Sequence, residues 1–190
     1  MRESLNSNTV ILLCLLLSIV PISAFPGNTG VSVKTAETSL LDGNYLLSAE
    51  IGFHLSPRAE QALRSGVPLI WTYHIKVQEL RDYLWDQTIE EKNFSYRMQF
   101  HALLNMYRIK NENNGIVDNF TTLQAALDSL STLRDFPLID KAKIADSNTY
   151  VAKLKITFER DALPLPLRPV AYLNPQWYLS SDWYICPLKK

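Results

Sequence analysis

The chain has 190 residues, and its 19 lysines and arginines are balanced by 19 aspartates and glutamates. Because the formal net charge is zero and the basic residues are scattered, the sequence offers no long-range attraction to nucleic acid or to an anionic membrane surface. We therefore predict no nucleic-acid partner.

The first 24 residues have the order of a secretory signal peptide. A short polar stretch carries Arg2, an apolar run spans residues 10–20, and the small residue Ala24 precedes Phe25, as in signal peptides with an apolar centre and a cleavage site. The run is shorter than the about 20 residues that a membrane-spanning helix needs. We predict export, cleavage between Ala24 and Phe25, and no stable membrane insertion afterwards.

The two cysteines have different expected fates. Cys14 lies inside the apolar run, so we interpret it as part of the signal peptide and not as a lipid attachment site. After cleavage Cys186 has no partner for an internal disulfide. A domain of about 150 residues can fold without one, because it buries about 70% of its unfolded surface. We assign residues 25–30 to a linker and 31–190 to a single domain.

Beyond the linker, apolar and polar residues alternate with the period of strands. Two such segments, 31–41 and 45–55, flank the turn sequence Asp-Gly-Asn at 42–44, which predicts a hairpin. A short helix follows, capped by Ser56 and ended by Gly66.

The central segments also alternate. Residues 69–78 predict a strand with one face on the core and one face toward water. Residues 81–91 are a polar connection, and alternation resumes over 94–101. A further strand through 107–109 leads into an Asn-Gly hairpin turn at 113–115, so we expect a three-stranded antiparallel meander.

The last third is mixed. Thr121 and Gln124 form a capping-box pair, and apolar residues at helical spacing up to Leu133 predict an amphipathic helix. Residues 150–158 predict a strand. The three prolines of residues 163–169, LPLPLRP, disfavour helix and predict an extended path. We expect the aromatic residues that follow to pack onto the sheets.

This succession of elements predicts a mainly β fold. An antiparallel two-layer β-sandwich, Ig-like or a partly open barrel, with two short helices is the expected architecture. We find no internal repeat and no second domain.

The sequence predicts no metal site and no cofactor. His54, His74 and His101 lie on three different predicted strands, and a converging trio could bind Zn²⁺. None of them, however, has a second ligand at metal spacing in the sequence.

The sequence also predicts no catalytic residue. The connection at 81–91 carries four carboxylates, and loops of this kind often hold catalytic groups, but acidic residues in a polar loop ordinarily serve solubility. Cys186 has apolar neighbours, which raise a thiol pKa, whereas a nucleophile needs the reverse. No serine-nucleophile motif occurs. The four carboxylates are Asp82, Asp86, Glu90 and Glu91.

The proline-rich run and the aromatic residues after it allow two interpretations. A preformed polyproline segment loses little entropy on binding, and aromatic residues dominate binding hot spots, which favours a protein-docking surface. Alternatively the segment is a strap that closes the domain's own core. The candidate docking residues are Pro164, Pro166, Arg168, Pro169, Tyr172, Trp177 and Trp183.

Two stretches, LDGNYLLSAEIGFHLSPRAEQALRSGVPL at 41–69 and PLRPVAYLNPQWYLSSDWY at 166–184, resemble a proteobacterial family of exported proteins known as domain of unknown function 4390. The resemblance covers residues 31–188. It implies a Gram-negative host and therefore a periplasmic location, and it assigns no activity. Genes of this family are associated with a membrane two-component sensor kinase, which implies an envelope or membrane sensor protein as a partner.

Three functions follow as hypotheses. The first is a non-enzymatic periplasmic module that binds another envelope protein. The second is a small-ligand carrier, with Trp71, Tyr73, Tyr96 and Phe100 lining a cavity between the layers. The third is an envelope hydrolase that uses the loop carboxylates.

Overall fold

The computed structural model describes residues 30–81, 85–145 and 147–189. Within these residues, nine strands form two antiparallel sheets. In chain order the strands are β1 (Gly30–Leu41), β2 (Asn44–His54), β3 (Leu69–Leu80), β4 (Gln87–His101), β5 (Met106–Asn111), β6 (Val117–Phe120), β7 (Thr132–Asp140), β8 (Thr149–Phe158) and β9 (Tyr184–Pro187). The smaller sheet has the order β1-β2-β7, and the larger sheet has the order β6-β5-β4-β3-β8-β9.

A shared core lies between the two sheets. Trp71, Tyr73 and Ile75 alternate along β3 and are at most 2% exposed, as the period-2 pattern predicts. Leu47 and Ile51 of β2 belong to the same core cluster. The predicted mainly β, two-layer antiparallel architecture is confirmed, and the described strands do not join into a closed barrel.

The first hairpin and the first helix follow the local turn chemistry. Asp42 and Gly43 connect β1 to β2 with φ values of 48° and 77°, the left-handed values that a two-residue hairpin turn needs. Helix α1 (Pro57–Arg64) begins after Ser56, whose Oγ accepts a backbone hydrogen bond of 3.1 Å. Gly66 ends it with φ of 86°. These predictions are confirmed.

Strand β4 is longer than the sequence predicts, because it begins at Gln87 and includes half of the predicted polar connection. Lys76 of β3 lies opposite Glu91 of β4, and their charged atoms are 3.2 Å apart. Cross-strand pairs of opposite charge stabilise a sheet without apolar alternation. The prediction of a loop is therefore wrong for residues 87–91.

Helix α2 (Leu123–Leu130) is shorter than predicted. Thr122 caps it, with its Oγ1 accepting a backbone hydrogen bond of 3.2 Å, and the Gln124 side chain donates to Asp128 at 2.8 Å. The predicted capping box between Thr121 and Gln124 is therefore wrong, because Thr122 is the N-cap and the Gln124 side chain bonds Asp128 instead of the backbone of the cap.

Strand β7 is not predicted from the sequence. It begins at Thr132, in the stretch expected to be the last turn of the helix. Pro137 and the left-handed Asp135, with φ of 47°, interrupt its alternation. The strand pairs only with β2 and forms a sheet edge, where a proline removes no ladder hydrogen bond.

The proline-rich run is not extended. Residues 164–167 form a turn, in which the Leu167 N–H donates to the Pro164 carbonyl at 2.9 Å. Helix α3 (Arg168–Leu173) follows, with Pro169 in its first turn, where a missing N–H breaks no helical hydrogen bond. The prediction of an extended path is wrong, and the described residues form three α-helices instead of two.

Hydrogen bonds connect the first strand, β1, to the C-terminal end of the last strand, β9. The Thr38 hydroxyl of β1 donates to the Pro187 carbonyl at 2.8 Å and accepts from the Lys189 N–H at 3.0 Å. Thr38 is 4% exposed, so these hydrogen bonds are largely shielded from water.

The predicted signal peptide and cleavage site lie outside the described residues, as does the linker except for Gly30, which begins β1. Within the described ranges, no helix is both long enough and apolar enough to cross a membrane.

Candidate functional site

The C-terminal segment, residues 163–189, is anchored in the core. Trp177 and Leu179 are 2% and 1% exposed. Trp177 stacks on Phe158 of β8, with ring centroids 6.0 Å apart, and the Trp71 indole N–H donates to the Leu179 carbonyl at 3.1 Å. These contacts are those expected of a strap that closes the core.

Two serines of the segment complete the hydrogen bonding of β8 beyond the end of β9. Ser181 donates its N–H to the Ile156 carbonyl at 2.8 Å, and its Oγ accepts from the Ile156 N–H at 2.9 Å. Ser180 Oγ accepts from the Phe158 N–H at 2.9 Å. Side-chain hydroxyls here replace a missing strand partner. This role is not visible in the sequence, because a serine that pairs with a strand edge leaves no periodic signal.

The outer side of the segment carries an apolar ridge, which we define as Leu165, Val170, Tyr172, Leu173 and Tyr178. Leu165 and Leu173 are 74% and 85% exposed. Val170, Tyr172 and Leu173 belong to one short helix, α3, and a patch of exposed apolar side chains can mark an interaction surface. Because intervening residues of the segment are anchored in the core, the ridge has a fixed position.

Arg160 and Asp161 hold the two aromatic rings of the ridge in place. The Arg160 guanidinium carbon lies 4.5 Å from the ring centroid of Tyr172 and 5.6 Å from that of Tyr178. The Tyr172 hydroxyl donates to the Asp161 carboxylate at 2.7 Å. That hydrogen bond raises the pKa of Tyr172, so the hydroxyl remains a donor.

Four of the seven predicted docking residues lie together. Tyr172 belongs to the ridge, and the three prolines beside it are exposed. Arg168 is half-buried, and its Nε donates to the Leu163 carbonyl at 2.8 Å, so its guanidinium is partly committed to the fold. The three exposed prolines are Pro164, Pro166 and Pro169.

The two predicted docking tryptophans lie elsewhere. Trp177 is 2% exposed and packs in the core, with one side in the wall of a small groove between α1 and α3. Trp183 is 41% exposed on the outer face of the larger sheet. The ammonium groups of Lys76 and Lys155 lie 5.6 and 5.8 Å from its ring centroid. A single docking surface made of all seven residues does not form.

A second candidate site is an aromatic cleft of about 510 Å³ at the seam between the sheets, beside β7. The smaller sheet has three strands and the larger sheet has six, so part of the inner face of β4 and β5 is left without a covering strand. We call this space the seam cleft. Its walls include Lys92, Phe94, Tyr96, Asn111, Leu133 and Phe136.

The aromatic walls of the seam cleft are in mutual contact. The ring of Phe94 lies 5.0 Å from that of Phe136 and 5.7 Å from that of Tyr96. On its core side, Phe94 stacks on Tyr73 at 4.9 Å. The walls are therefore continuous with the core and are supported by it.

Two polar groups border these rings. Lys92 donates from Nζ to the Pro137 carbonyl at 2.9 Å, and its ammonium lies 5.9 Å from the Phe136 ring centroid. Burial raises the pKa of Tyr96, and a hydrogen bond with the Asn111 side chain partly offsets this rise. The cleft thus combines aromatic surface with a cation and a protonated phenol.

The aromatic residues predicted to line an internal cavity do not do so as a group. Trp71 is fully buried, the Tyr73 hydroxyl donates to the Leu130 carbonyl at 2.7 Å, and Phe100 packs on Tyr107 at 4.9 Å. Only Tyr96 borders the seam cleft. The predicted lining is therefore wrong for Trp71, Tyr73 and Phe100, whose rings fill the interior.

The loop carboxylates do not form a catalytic pair among themselves. Each of three binds a different lysine, and Glu91, whose pKa is lowered by its hydrogen bond with Lys76, is on β4. Asp82 lies outside the described residues. The three ion pairs are Asp86 with Lys153 at 3.6 Å, Glu90 with Lys143 at 3.4 Å, and Glu91 with Lys76 at 3.2 Å.

The histidines do not converge. His74 Nδ1 lies 2.9 Å from the Asn93 Oδ1, His54 is exposed at the end of β2, and His101 ends β4. In the described part of the chain, no group of three or more histidine, cysteine or acidic side chains is arranged to hold a metal ion.

Cys186 is buried in β9 against β8. Its Sγ lies 3.7 Å from the Ala152 carbonyl oxygen, and desolvation raises the pKa of the thiol. The residue packs as a small apolar side chain, as the sequence analysis expects from its neighbours.

Comparison with known proteins gives one match. The sequence model of the family described as Domain of unknown function (DUF4390) matches residues 28–187, in agreement with the resemblance carried by the two long stretches. No curated protein and no solved structure matches the chain.

Proposed function

The chain belongs to the DUF4390 family, and from that premise we propose that it is an exported, non-enzymatic module of the bacterial envelope that binds another protein through the apolar ridge. One observation carries the proposal: large apolar side chains stand exposed on a segment that is itself fixed in the core. Leu173, at 85% exposure, is the clearest example.

A fixed ridge suits protein recognition. Binding costs little conformational entropy when the contacting residues are held before the partner arrives, and Arg160 and the buried anchors hold this ridge. A groove of about 230 Å³ beside it, between α1 and α3, has Ala62 and Val170 among its walls. An apolar groove next to exposed aromatic residues can receive the anchor side chain of a partner.

The chemistry of the other candidate residues supports a binding role over catalysis. Asp86, Glu90 and Glu91 each bind a lysine, and the thiol of Cys186 is desolvated. The predicted signal peptide supports an envelope location. The periplasmic part of a membrane sensor protein, or another envelope component, is the proposed partner.

The test is photo-crosslinking in the native envelope from a reactive residue placed at Gln176, which is exposed beside the ridge. When the chain is native apart from this reactive residue, we expect one discrete crosslinked adduct with a partner protein. The double variant Leu165→Ser with Leu173→Ser should lose most of it, because loss of hot-spot side chains costs at least about tenfold in affinity.

The control replaces two other exposed apolar residues, which lie outside the C-terminal segment. Leu41 and Ile116 are 58% and 59% exposed; Leu41 is the last residue of β1, and Ile116 directly precedes β6. Leu41→Ser with Ile116→Ser should leave the adduct intact. Equal adducts from all three proteins would contradict the proposal.

A further inference from the structure

We propose that the seam cleft binds a small organic anion with a flat apolar body, such as an aromatic carboxylate. This inference goes beyond the proposed protein docking and uses none of the ridge residues. It relies on three properties of the cleft: its aromatic walls, its uncompensated cation, and its unsuitability for a polypeptide strand.

The walls select a flat apolar body. The Phe94 ring lies 5.0 Å from that of Phe136 and 5.7 Å from that of Tyr96, and Leu133 adds an aliphatic surface. Aromatic rings prefer partners that stack or meet them edge to face at such distances. A volume of about 510 Å³ is in the range of small-molecule sites.

The charge of Lys92 selects an anion. Its core-facing position on β4 continues the row of Phe94 and Tyr96, so the ammonium borders the rings and does not project from the outer face of the sheet. Among the described residues, Lys92 has no carboxylate in contact, whereas Lys76, Lys143 and Lys153 each do. Its known hydrogen bond, to the Pro137 carbonyl, leaves two N–H groups for a ligand.

A second donor lies four residues along the strand. Tyr96 is paired across the strands with Asn111, and burial, together with the negative charge of Asp118, raises the pKa of its hydroxyl, so the hydroxyl keeps its proton. A ligand could thus place its carboxylate on Lys92, where it accepts a charge-assisted hydrogen bond, and another polar atom on the Tyr96 hydroxyl.

The edge of the cleft is poorly suited to an added strand from a protein. Pro137 has no N–H to donate, its carbonyl is already bound by Lys92, and the left-handed Asp135 breaks the regular path of β7. These features prevent continuous main-chain pairing along the edge.

The experiment compares three ligands that share one ring system and differ in charge: indole-3-acetate, indole-3-acetamide and tryptamine. Isothermal titration calorimetry of the purified full chain should give the tightest binding for the anion, weaker binding for the neutral amide and the weakest for the cation. Lys92→Gln should weaken indole-3-acetate binding about fivefold and leave the amide unchanged, and Lys92→Arg should retain the preference for the anion.

Matched controls separate this site from nonspecific binding. Lys76→Gln removes a lysine from the outer face of the larger sheet and should leave the affinity for all three ligands unchanged. Phe136→Leu removes an aromatic wall of the cleft and should weaken the binding of all three ligands alike. Phe100→Leu removes a ring outside the cleft and should leave the binding of all three unchanged. Absence of binding by all three ligands, or an anion preference that survives Lys92→Gln, overturns the proposal.

The docking proposal for the ridge and the anion-binding proposal for the seam cleft can be contradicted independently. The variant Leu165→Ser with Leu173→Ser should bind indole-3-acetate as the unchanged chain does. If Lys92→Gln leaves crosslinking at the ridge unaffected while anion binding falls, the two sites are separate.

Discussion

Ser181 is the residue on which the end of β8 depends. Its backbone N–H and its hydroxyl satisfy both hydrogen-bonding groups of Ile156, a residue that is fully buried. Replacing the hydroxyl leaves the Ile156 N–H without a partner and without access to water. An unsatisfied buried donor costs more than the loss of an average hydrogen bond.

We therefore expect Ser181→Ala to lower the free energy of unfolding by about 1 to 3 kcal/mol, measured by urea denaturation. Ser39→Ala, at an exposed position of β1, serves as the control and should stay within about 0.5 kcal/mol of the unchanged chain. Similar losses in the two variants would mean that the Ser181 hydroxyl has no special role.

Cys186 predicts a pH dependence of stability. Because burial raises the pKa of its thiol, the folded chain holds this proton more tightly than the unfolded chain. Its contribution to stability is complete below the unfolded pKa of about 8.5 and is lost as the pH rises through the raised folded pKa. The free energy of unfolding should therefore fall from about pH 8.5 upward.

Urea denaturation at several pH values between 8 and 10 measures this fall, and Cys186→Ala should flatten it. Tyr73, whose pKa is also raised by burial, affects stability mainly above about pH 10, the ordinary tyrosine range. An unchanged slope in Cys186→Ala would show that the thiol does not carry the effect.

For single residues, the sequence indicates the chemical environment of a side chain better than its location in the fold. The apolar neighbours of Cys186 correctly indicate an inert thiol environment. The role of Lys92 is not visible, because a lysine in an alternating strand resembles any solvent-facing residue until the partner sheet is known to end beside it.

The C-terminal segment is the element on which the two interpretations of the proline-rich run depend. Trp177, Leu179 and the serines connect it to β8 and to Trp71, and the ridge faces outward from the same backbone. One element thus serves as a strap on its inner side and presents the proposed docking surface on its outer side.

Deletion of residues 163–190 should therefore unfold the domain and not merely abolish partner binding. Circular dichroism should show loss of the cooperative thermal transition, because β8 would lose hydrogen-bond partners and the core would lose an indole ring. Deleting only the last residue, Lys190, is the control and should preserve the transition. A truncated chain that folds cooperatively would contradict the role of the segment as a strap.

Elements defined by local chemistry are predicted well. The first hairpin and α1 depend on Gly43, Ser56 and Gly66, each of which acts through its own backbone conformation or hydrogen bond. Strand β7 is missed because its pairing with β2 compensates for Pro137 and Asp135, and that partner is more than 80 residues away in the chain. Tertiary pairing here overrides local preference.

At the scale of the whole molecule, alternation along β3 and β8 suffices to predict two layers with a shared core. It does not predict how many strands each layer receives. The seam cleft results from the difference in strand number, three strands against six. The predicted cavity lining is therefore correct for Tyr96, which borders the cleft, and wrong for Trp71, which is fully buried.

The hydrogen bonds of Thr38 have a consequence for the order of folding. Thr38 and Pro187 are 149 residues apart in sequence, so the first strand cannot reach its final contacts until the last strand is present. Folds that depend on such distant contacts form slowly. If the chain is exported as proposed, its fold would remain incomplete until the residues of β9 had emerged on the far side of the membrane.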